Sequence, residues 1–187
     1  MSITTQPTPN PATLKFLLAD DILSDGTADF PDAEAARAGS PLAARLFEAG
    51  GVSGVFLGRD FVTVTAEADW TGELEARVAA MIEAHLAAGE PVLTSAPVVP
   101  ESPISEADRP VVERIEELLE SHIRPGVALD GGNIAFRHYA QGIVYLELQG
   151  ACAGCPSSTM TLRYSVENLL RHYVPEVREV RAVDGMN

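Results

Sequence analysis

The chain has only two cysteines, Cys152 and Cys155, and two residues separate them. This spacing lets both sulfur atoms point toward one metal ion or cluster. Zinc and the common iron–sulfur clusters each take four protein ligands, and thiolate suits both. Because no third cysteine is present, the pair either works as a redox dithiol or needs a second copy of the chain to complete a metal site.

The residues around the pair favour the thiolate form of the side chains. The run 143–148 is expected to be a strand, and Pro156 suits the first turn of a helix because its missing N–H would have no partner there. Cys155 would then lie beside the positive end of a helix dipole, which favours an anion. Gly150 and Gly154 allow the backbone to approach sulfur without a Cβ clash.

Three chemistries remain open for this pair on spacing alone: a redox dithiol, a zinc ion shared between two chains and a shared iron–sulfur cluster. A thioredoxin-like pair usually has an aromatic residue or a proline close by in a βαβ unit. Here Ala153 and Gly154 lie between the cysteines, and the only tryptophan is Trp70. Two incidental buried cysteines are a further alternative, which the glycines and the expected helix start disfavour.

Charge and composition exclude several classes of function. The chain carries 27 acidic and 13 basic residues, a formal net charge of −14. Without an excess of basic residues it cannot neutralise phosphates, so we expect no nucleic-acid partner. No apolar run approaches the roughly 20 residues of a membrane span, so we expect no membrane partner. The absence of a recognisable P-loop or Ser/His/Asp set argues against an enzyme.

The beginning of the chain bears on its compartment. The first nine residues, MSITTQPTP, contain neither a basic region nor an apolar stretch. We therefore expect no secretory signal, and the lack of arginine argues against a transit peptide. Two close cysteines without a signal peptide are typical of a reducing compartment. The sequence therefore predicts a cytoplasmic protein.

Four prolines between residues 89 and 103 indicate an extended connector. The predicted organisation is a domain at residues 1–93, a linker at 94–104 and a second domain at 105–187. Both domains are expected to be small α+β units, the second an open sheet with helices on one face. Apolar periodicity and turn residues predict the following elements of the first domain: strands at 13–18, 53–57 and 61–65, helices at 32–37, 41–49 and 71–88, and a short edge strand at Val92 and Leu93.

In the second domain, a capping box at 105–108 is expected to begin a helix that Pro125 and Gly126 end. Strands are predicted at 133–139, 143–148 and 177–183, and a helix at 156–173 with Met160 facing inward. The segment 130–133 is expected to be a glycine turn. His85 and His122 occupy inward-leaning helical positions, and we assign none of the four histidines to the cysteine site, because no ligand spacing is evident.

Residues 148–162, LQGACAGCPSSTMTL, resemble the cluster-binding signature of the NifU C-terminal domain. The segments DGGN at 130–133 and PEVREV at 175–180 are similar to a turn and an ending found in that domain. The first domain resembles the Nfu N-terminal domain in a series of short segments: 9–16, 40–43, 55–56, 61–65 and 69–70.

The resemblance covers nearly the whole chain and implies an Nfu-type iron–sulfur cluster carrier. Such a carrier is not an enzyme; it holds a labile 4Fe–4S cluster between two subunits, here through Cys152 and Cys155. A 2Fe–2S cluster accepts the same four thiolates, so the cluster type stays open. The implied partners are a second copy of the chain when loaded, upstream cluster-assembly proteins and the apo-proteins that receive the cluster. The alternative is a thiol–disulfide oxidoreductase that uses the same pair.

Overall fold

The computed structural model describes residues 3–94, 104–153 and 156–183. The chain divides into two compact units, Met1–Val98 and Val99–Asn187. Most of the predicted linker, residues 95–103, lies outside the described residues. Each unit has a sheet of its own and a hydrophobic core of its own. The prediction of two α+β domains is therefore confirmed in its fold class.

The first unit is built on an antiparallel sheet with the strand order β1-β2-β5-β4-β3. Its helices cover the face that carries Phe16, Val62 and Leu57. Its elements along the chain are β1 (Thr4–Pro7), β2 (Thr13–Leu17), β3 (Ala28–Phe30), α1 (Ala33–Gly39), α2 (Pro41–Phe47), β4 (Val52–Leu57), β5 (Phe61–Ala66) and α3 (Gly72–Ala87).

Ser40 shows how the sequence sets a helix boundary in this unit. Its hydroxyl accepts a hydrogen bond from the Ala43 N–H at 3.0 Å, which caps α2, and Pro41 takes the first helical position. The same hydroxyl donates to the Val92 carbonyl at 2.6 Å. One buried side chain therefore begins a helix and fastens the end of the unit.

Two strands of the first unit were not predicted, and one predicted strand is absent. β1 is short and ends in proline, and β3 has only three residues, so neither shows an alternating pattern. Val92 and Leu93 are not in a strand. Hydrogen bonds to side chains and to the end of α1 hold this segment instead, with Thr94 donating from its N–H to the Gly39 carbonyl.

The second unit has a three-stranded sheet in the order β6-β7-β8, in which β6 and β7 are antiparallel and β7 and β8 are parallel. The parallel pair is joined by a helix, as parallel strands require a crossover. The elements of this unit are α4 (Arg109–Leu118), a π turn (Leu119–Ile123), α5 (Arg124–Leu129), β6 (Gly132–Ala140), β7 (Ile143–Gly150), α6 (Pro156–Tyr173) and β8 (Glu179–Val183).

The helices of this unit lie on one face of its sheet, as predicted. Val144 and Leu146 of β7 face a core that contains Ile115 of α4 and Leu170 of α6. Met160 does not take part, because its side chain is 61% exposed, so the expectation that it faces inward is wrong. Met160 lies near the start of α6, beyond the stretch of that helix that contributes Val166 and Leu170 to the core.

The helix predicted to end at Pro125 continues to Leu129. A proline inside a helix lacks the N–H donor and collides with the carbonyl four residues earlier. Here the π turn lies directly before α5, and the Arg124 N–H donates to the Leu119 carbonyl five residues back. The wider turn makes room for the proline ring, so the helix passes through it. The predicted capping box at 105–108 does not begin the helix directly. Ser105 accepts the Asp108 N–H in a turn that precedes α4, and α4 begins at Arg109.

Candidate metal centre

Cys152 lies in a turn that follows the last residue of β7. Its side chain is only 7% exposed and belongs to the hydrophobic core of the second unit. Cys155 lies outside the described residues, and α6 begins directly after it at Pro156. The structure therefore gives one sulfur of the predicted pair a defined, buried position between a strand and a helix.

The turn that carries Cys152 is fastened to the predicted glycine turn before β6. The Ala151 N–H donates to the Gly131 carbonyl at 3.1 Å, and the Ala153 N–H donates to the Gly150 carbonyl at 3.0 Å. Gly131 and Gly150 have φ angles of +82° and +61°, which side chains with a Cβ rarely adopt. The prediction that the 130–133 segment turns on glycine is confirmed by this geometry.

Gly132 lies against the sulfur of Cys152. It pairs with Gly150 across the sheet. A Cβ atom placed on Gly132 would lie 2.7 Å from the Cys152 Sγ and 2.7 Å from the Gln149 carbonyl oxygen. Cβ atoms essentially never approach another atom this closely, so the space beside the sulfur exists only because residue 132 is glycine. We call this space, in which the Cys152 sulfur lies against Gly132 and the Gln149 carbonyl, the sulfur seat.

A row of polar side chains on the sheet face opposite the helices leads toward this turn. Asn133 donates to the Gln149 side-chain carbonyl at 3.2 Å, and Gln149 donates to the Glu147 carboxylate at 3.3 Å. Arg137 donates to the same carboxylate, from a β-bulge between Phe136 and His138. This network was not predicted. Its signal in the sequence is the alternation of polar and apolar residues along β7.

Two family descriptions cover most of this chain. Residues 3–89 match the family described as "Scaffold protein Nfu/NifU N terminal", and residues 115–181 match the family described as "NifU-like domain". A protein of Drosophila sechellia named "NFU1 iron-sulfur cluster scaffold homolog, mitochondrial" is 46% identical over 186 residues, which is 98% of this chain. The chain belongs to the Nfu/NifU family.

A second relative shows the same level of identity over nearly the whole chain, and a solved structure is more distantly similar. The protein of the same name from Drosophila virilis is 46% identical over 98% of this chain. This chain spans 65% of the length of the Drosophila sechellia protein and 62% of the Drosophila virilis protein. The solved structure of a NifU-like protein from Saccharomyces cerevisiae is 26% identical, with a TM-score of 0.45 over 51% of this chain and 87% of the yeast chain.

The prediction of a cytoplasmic protein is wrong, because the Nfu relatives are named as mitochondrial proteins. That prediction rested on the composition of the first nine residues and on the two closely spaced cysteines. A compartment is specified by short targeting segments that form no part of a packed domain.

Two histidines of this Nfu-family chain, His85 and His122, were expected to lean inward from their helices. His85 is fully buried in the first unit, where its Nε2 lies 3.2 Å from the Pro91 carbonyl oxygen. His122 is exposed, so its expected inward lean is wrong. Within residues 3–94, 104–153 and 156–183, no three His, Cys, Asp or Glu side chains form a group that could hold a metal ion. None of the helices described there is long and apolar enough to cross a membrane.

Proposed function

We propose that this chain is a carrier of iron–sulfur clusters and not an enzyme. It holds a 4Fe–4S cluster between two copies of itself through Cys152 and Cys155 and passes the cluster to apo-proteins. The observation that carries the proposal is the sulfur seat: a chain with only two cysteines holds one of them in a glycine-lined turn before a helix. Relatives named as iron–sulfur cluster scaffolds support the same conclusion.

The number of ligands sets the number of subunits. A cluster with four thiolate ligands needs two chains that supply two cysteines each. Two identical chains arranged around a shared ligand are most simply related by a twofold axis, so that the same surface of each faces the other. The cluster is then cargo at an interface between subunits, and it is more exposed to solvent than a cluster inside a core.

Exposure at an interface allows transfer by ligand exchange. A thiolate of the receiving protein forms a bond to an iron atom while the bond from that iron to a carrier cysteine breaks. The carrier sulfur leaves as a thiolate and can take up a proton from water, and no atom changes its oxidation state. Four such exchanges move the cluster without covalent catalysis.

The first unit contributes no cysteine, so we assign it a role in contacts with other proteins. It is acidic, and a surface of one charge steers association with partners of the opposite charge. The partners that we propose are the upstream assembly proteins that load the carrier and the apo-proteins that receive the cluster. Salt should slow these encounters.

Anaerobic reconstitution with iron and sulfide tests the proposal. The wild-type chain should turn brown, contain about four iron atoms per dimer, and sediment as a dimer. Cys152→Ala and Cys155→Ala should each lose the iron and the dimer, because either change leaves two thiolates where four are needed. Ser165→Ala is the control, since this exposed hydroxyl of α6 donates to the Thr161 carbonyl of the same helix.

Four results of the same experiment would contradict the proposed cluster carrier. A single-cysteine variant that keeps its full iron content would show that the pair does not hold the cluster. A loaded protein that sediments as one chain would show that no second copy is needed. A colourless protein with a measurable dithiol potential would favour the thiol–disulfide oxidoreductase, and a colourless zinc-containing dimer would favour a shared structural zinc.

A further inference from the structure

Gly132 is the residue on which the position of the Cys152 sulfur depends. A Cβ atom at residue 132 would lie 2.7 Å from Sγ, 2.7 Å from the Gln149 carbonyl oxygen and 3.1 Å from the Cys152 nitrogen. Two of these three atoms belong to the backbone, so they cannot turn away as the end of a flexible side chain could. Any side chain at this position must therefore displace the sulfur, the turn or the strand.

Space, and not backbone conformation, excludes a side chain here. Gly131 and Gly150 adopt positive φ angles, whereas Gly132 is not among the residues that do. An alanine could adopt the backbone conformation of residue 132, and only its methyl group would collide. The surrounding backbone is fixed by the pairing of Gly132 with Gly150 and by the hydrogen bond from Ala151 to Gly131.

We infer that Gly132 is a positioning residue of the cluster site, since its missing side chain leaves the seat in which the Cys152 sulfur lies. The inference rests on the proposed function where it concerns the cluster. The seat itself is a property of the chain without metal. A methyl group at residue 132 should push the sulfur out of this buried position and toward solvent, while the core residues of the unit stay in place.

The reactivity of the thiol tests the seat without any metal. In a Cys155→Ser background Cys152 is the only thiol of the chain, so the rate of its reaction with a disulfide reagent reports this sulfur alone. Thiol reactivity follows exposure and thiolate content. Gly132→Ala should raise the rate several-fold. Gly126→Ala is the matched control, because a Cβ at Gly126 meets no atom within 4 Å. The Cys152 thiol of this variant should react at the same rate as in the Cys155→Ser background.

Iron retention tests the role of the seat in the site. In the chain with both cysteines, Gly132→Ala should lose iron to a chelator about 10- to 100-fold more readily, the usual effect of disturbing a residue that orients a ligand. Gly126→Ala should retain iron as the wild type does. Far-ultraviolet circular dichroism and urea unfolding monitored by tyrosine absorbance should show that both variants remain folded.

Two outcomes would overturn the inference. Equal thiol rates and equal iron retention in Gly132→Ala and Gly126→Ala would show that the sulfur does not depend on Gly132. If Gly132→Ala fails to fold, the Cys155→Ser chain with Gly132 unchanged provides the test. If its Cys152 thiol reacts as fast in the folded chain as in urea, the sulfur is not protected and the inference is wrong. A protein that binds no cluster but shows Gly132-dependent protection would retain the seat and refute only the proposed function.

Discussion

The two units share a layout but differ in what they expose. Each has helices on one face of a sheet and a core of aliphatic side chains between them. Among the described residues, the four large hydrophobic side chains that are most exposed all belong to the second unit. They are Leu129, Met160, Tyr164 and Tyr173. The second unit also contains both cysteines and all four tyrosines, whereas the only tryptophan is in the first.

This difference distinguishes the second unit as the one whose described surface carries large exposed apolar side chains. Leu129 ends α5, only three residues before Gly132, and Met160 follows Cys155 by five residues. Two of the four exposed apolar side chains are therefore close in the chain to the sulfur seat. Single exposed apolar residues are common on protein surfaces. If the proposed function holds, we expect the second copy to contact the two such residues that lie on the segments before and after the cysteine turn.

The largest expected effect comes from separating the units. A chain of residues 99–187 should bind the same amount of iron per chain as the full-length protein, because it contains both cysteines and the sulfur seat. A chain of residues 1–98 should bind none. Cluster transfer from the shorter carrier should be slower for some recipients, measured with several apo-proteins. Equal transfer rates for all of them would show that the first unit is not an adaptor.

Truncating one core residue in each unit should separate their stabilities. Leu46→Ala in the first unit and Leu170→Ala in the second each remove a side chain with no exposed surface, at a cost of about 2–5 kcal/mol. Trp70 fluorescence follows only the first unit and tyrosine absorbance only the second. Leu46→Ala should move the fluorescence transition in urea and leave iron binding unchanged. A shift of both transitions in either variant would show that the units unfold together.

Exposed apolar residues near the cysteines should stabilise the loaded dimer. Leu129→Ser and Met160→Ser should each weaken its association by about 1.5–3 kcal/mol if the side chain is buried by the partner. Dissociation is measured by sedimentation of the loaded protein at falling concentration. Tyr173→Ser is the control, because this side chain is 49% exposed but lies at the far end of α6. Equal weakening by the control would remove the assignment of the interface to the cysteine end.

Regular segments of the fold could be predicted from the sequence, and irregular ones could not. The hairpin of β4 and β5 and the helix α3 follow alternating or helical apolar patterns, so their positions are correct within a residue or two. The prediction that the helix ends at Pro125 was wrong, because the π turn that accommodates this proline has no sequence pattern of its own. Short strands such as β3 depend on pairing with a distant partner.

The sequence could suggest which residues form the candidate site, but not their geometry. Spacing singled out Cys152 and Cys155 as candidate ligands, and turn chemistry predicted the glycine turn that contains Gly131 and Gly132. The contact between Gly132 and the Cys152 sulfur depends on the register that pairs Gly132 with Gly150. The register of two paired strands is set by contacts between residues far apart in the sequence. A local sequence pattern therefore does not reveal which glycine will contact the sulfur.

Ser40→Ala should have a smaller effect that is confined to the first unit. It removes the hydroxyl that caps α2 and that donates to the Val92 carbonyl. Loss of such a cap costs about 1 kcal/mol, seen as an earlier fluorescence transition in urea. Thr71→Ala is a useful comparison, since Thr71 caps α3 alone. If Ser40→Ala costs no more than Thr71→Ala, the bond to Val92 adds nothing to stability.

The smallest expected effect concerns a tyrosine of the second unit at alkaline pH. Burial raises the pKa of Tyr139 above its ordinary value, and the negative charge of Asp108 acts in the same direction. The folded state therefore holds this proton more tightly than the unfolded chain does. The resulting stability is fully present below the unfolded pKa of about 10 and is lost as the pH rises through the folded pKa.

Tyr139→Phe tests the raised pKa of Tyr139, because the ionisation of each tyrosine contributes to the absorbance of tyrosinate. The variant should lack the component that ionises at the highest pH, and the stability of its second unit should depend less on pH in that range. The first unit contains no tyrosine, so its fluorescence transition should not respond to the substitution. Tyr173→Phe is the control, since Tyr173 is half exposed. Loss of the late component in Tyr173→Phe instead would show that burial of Tyr139 is not its cause.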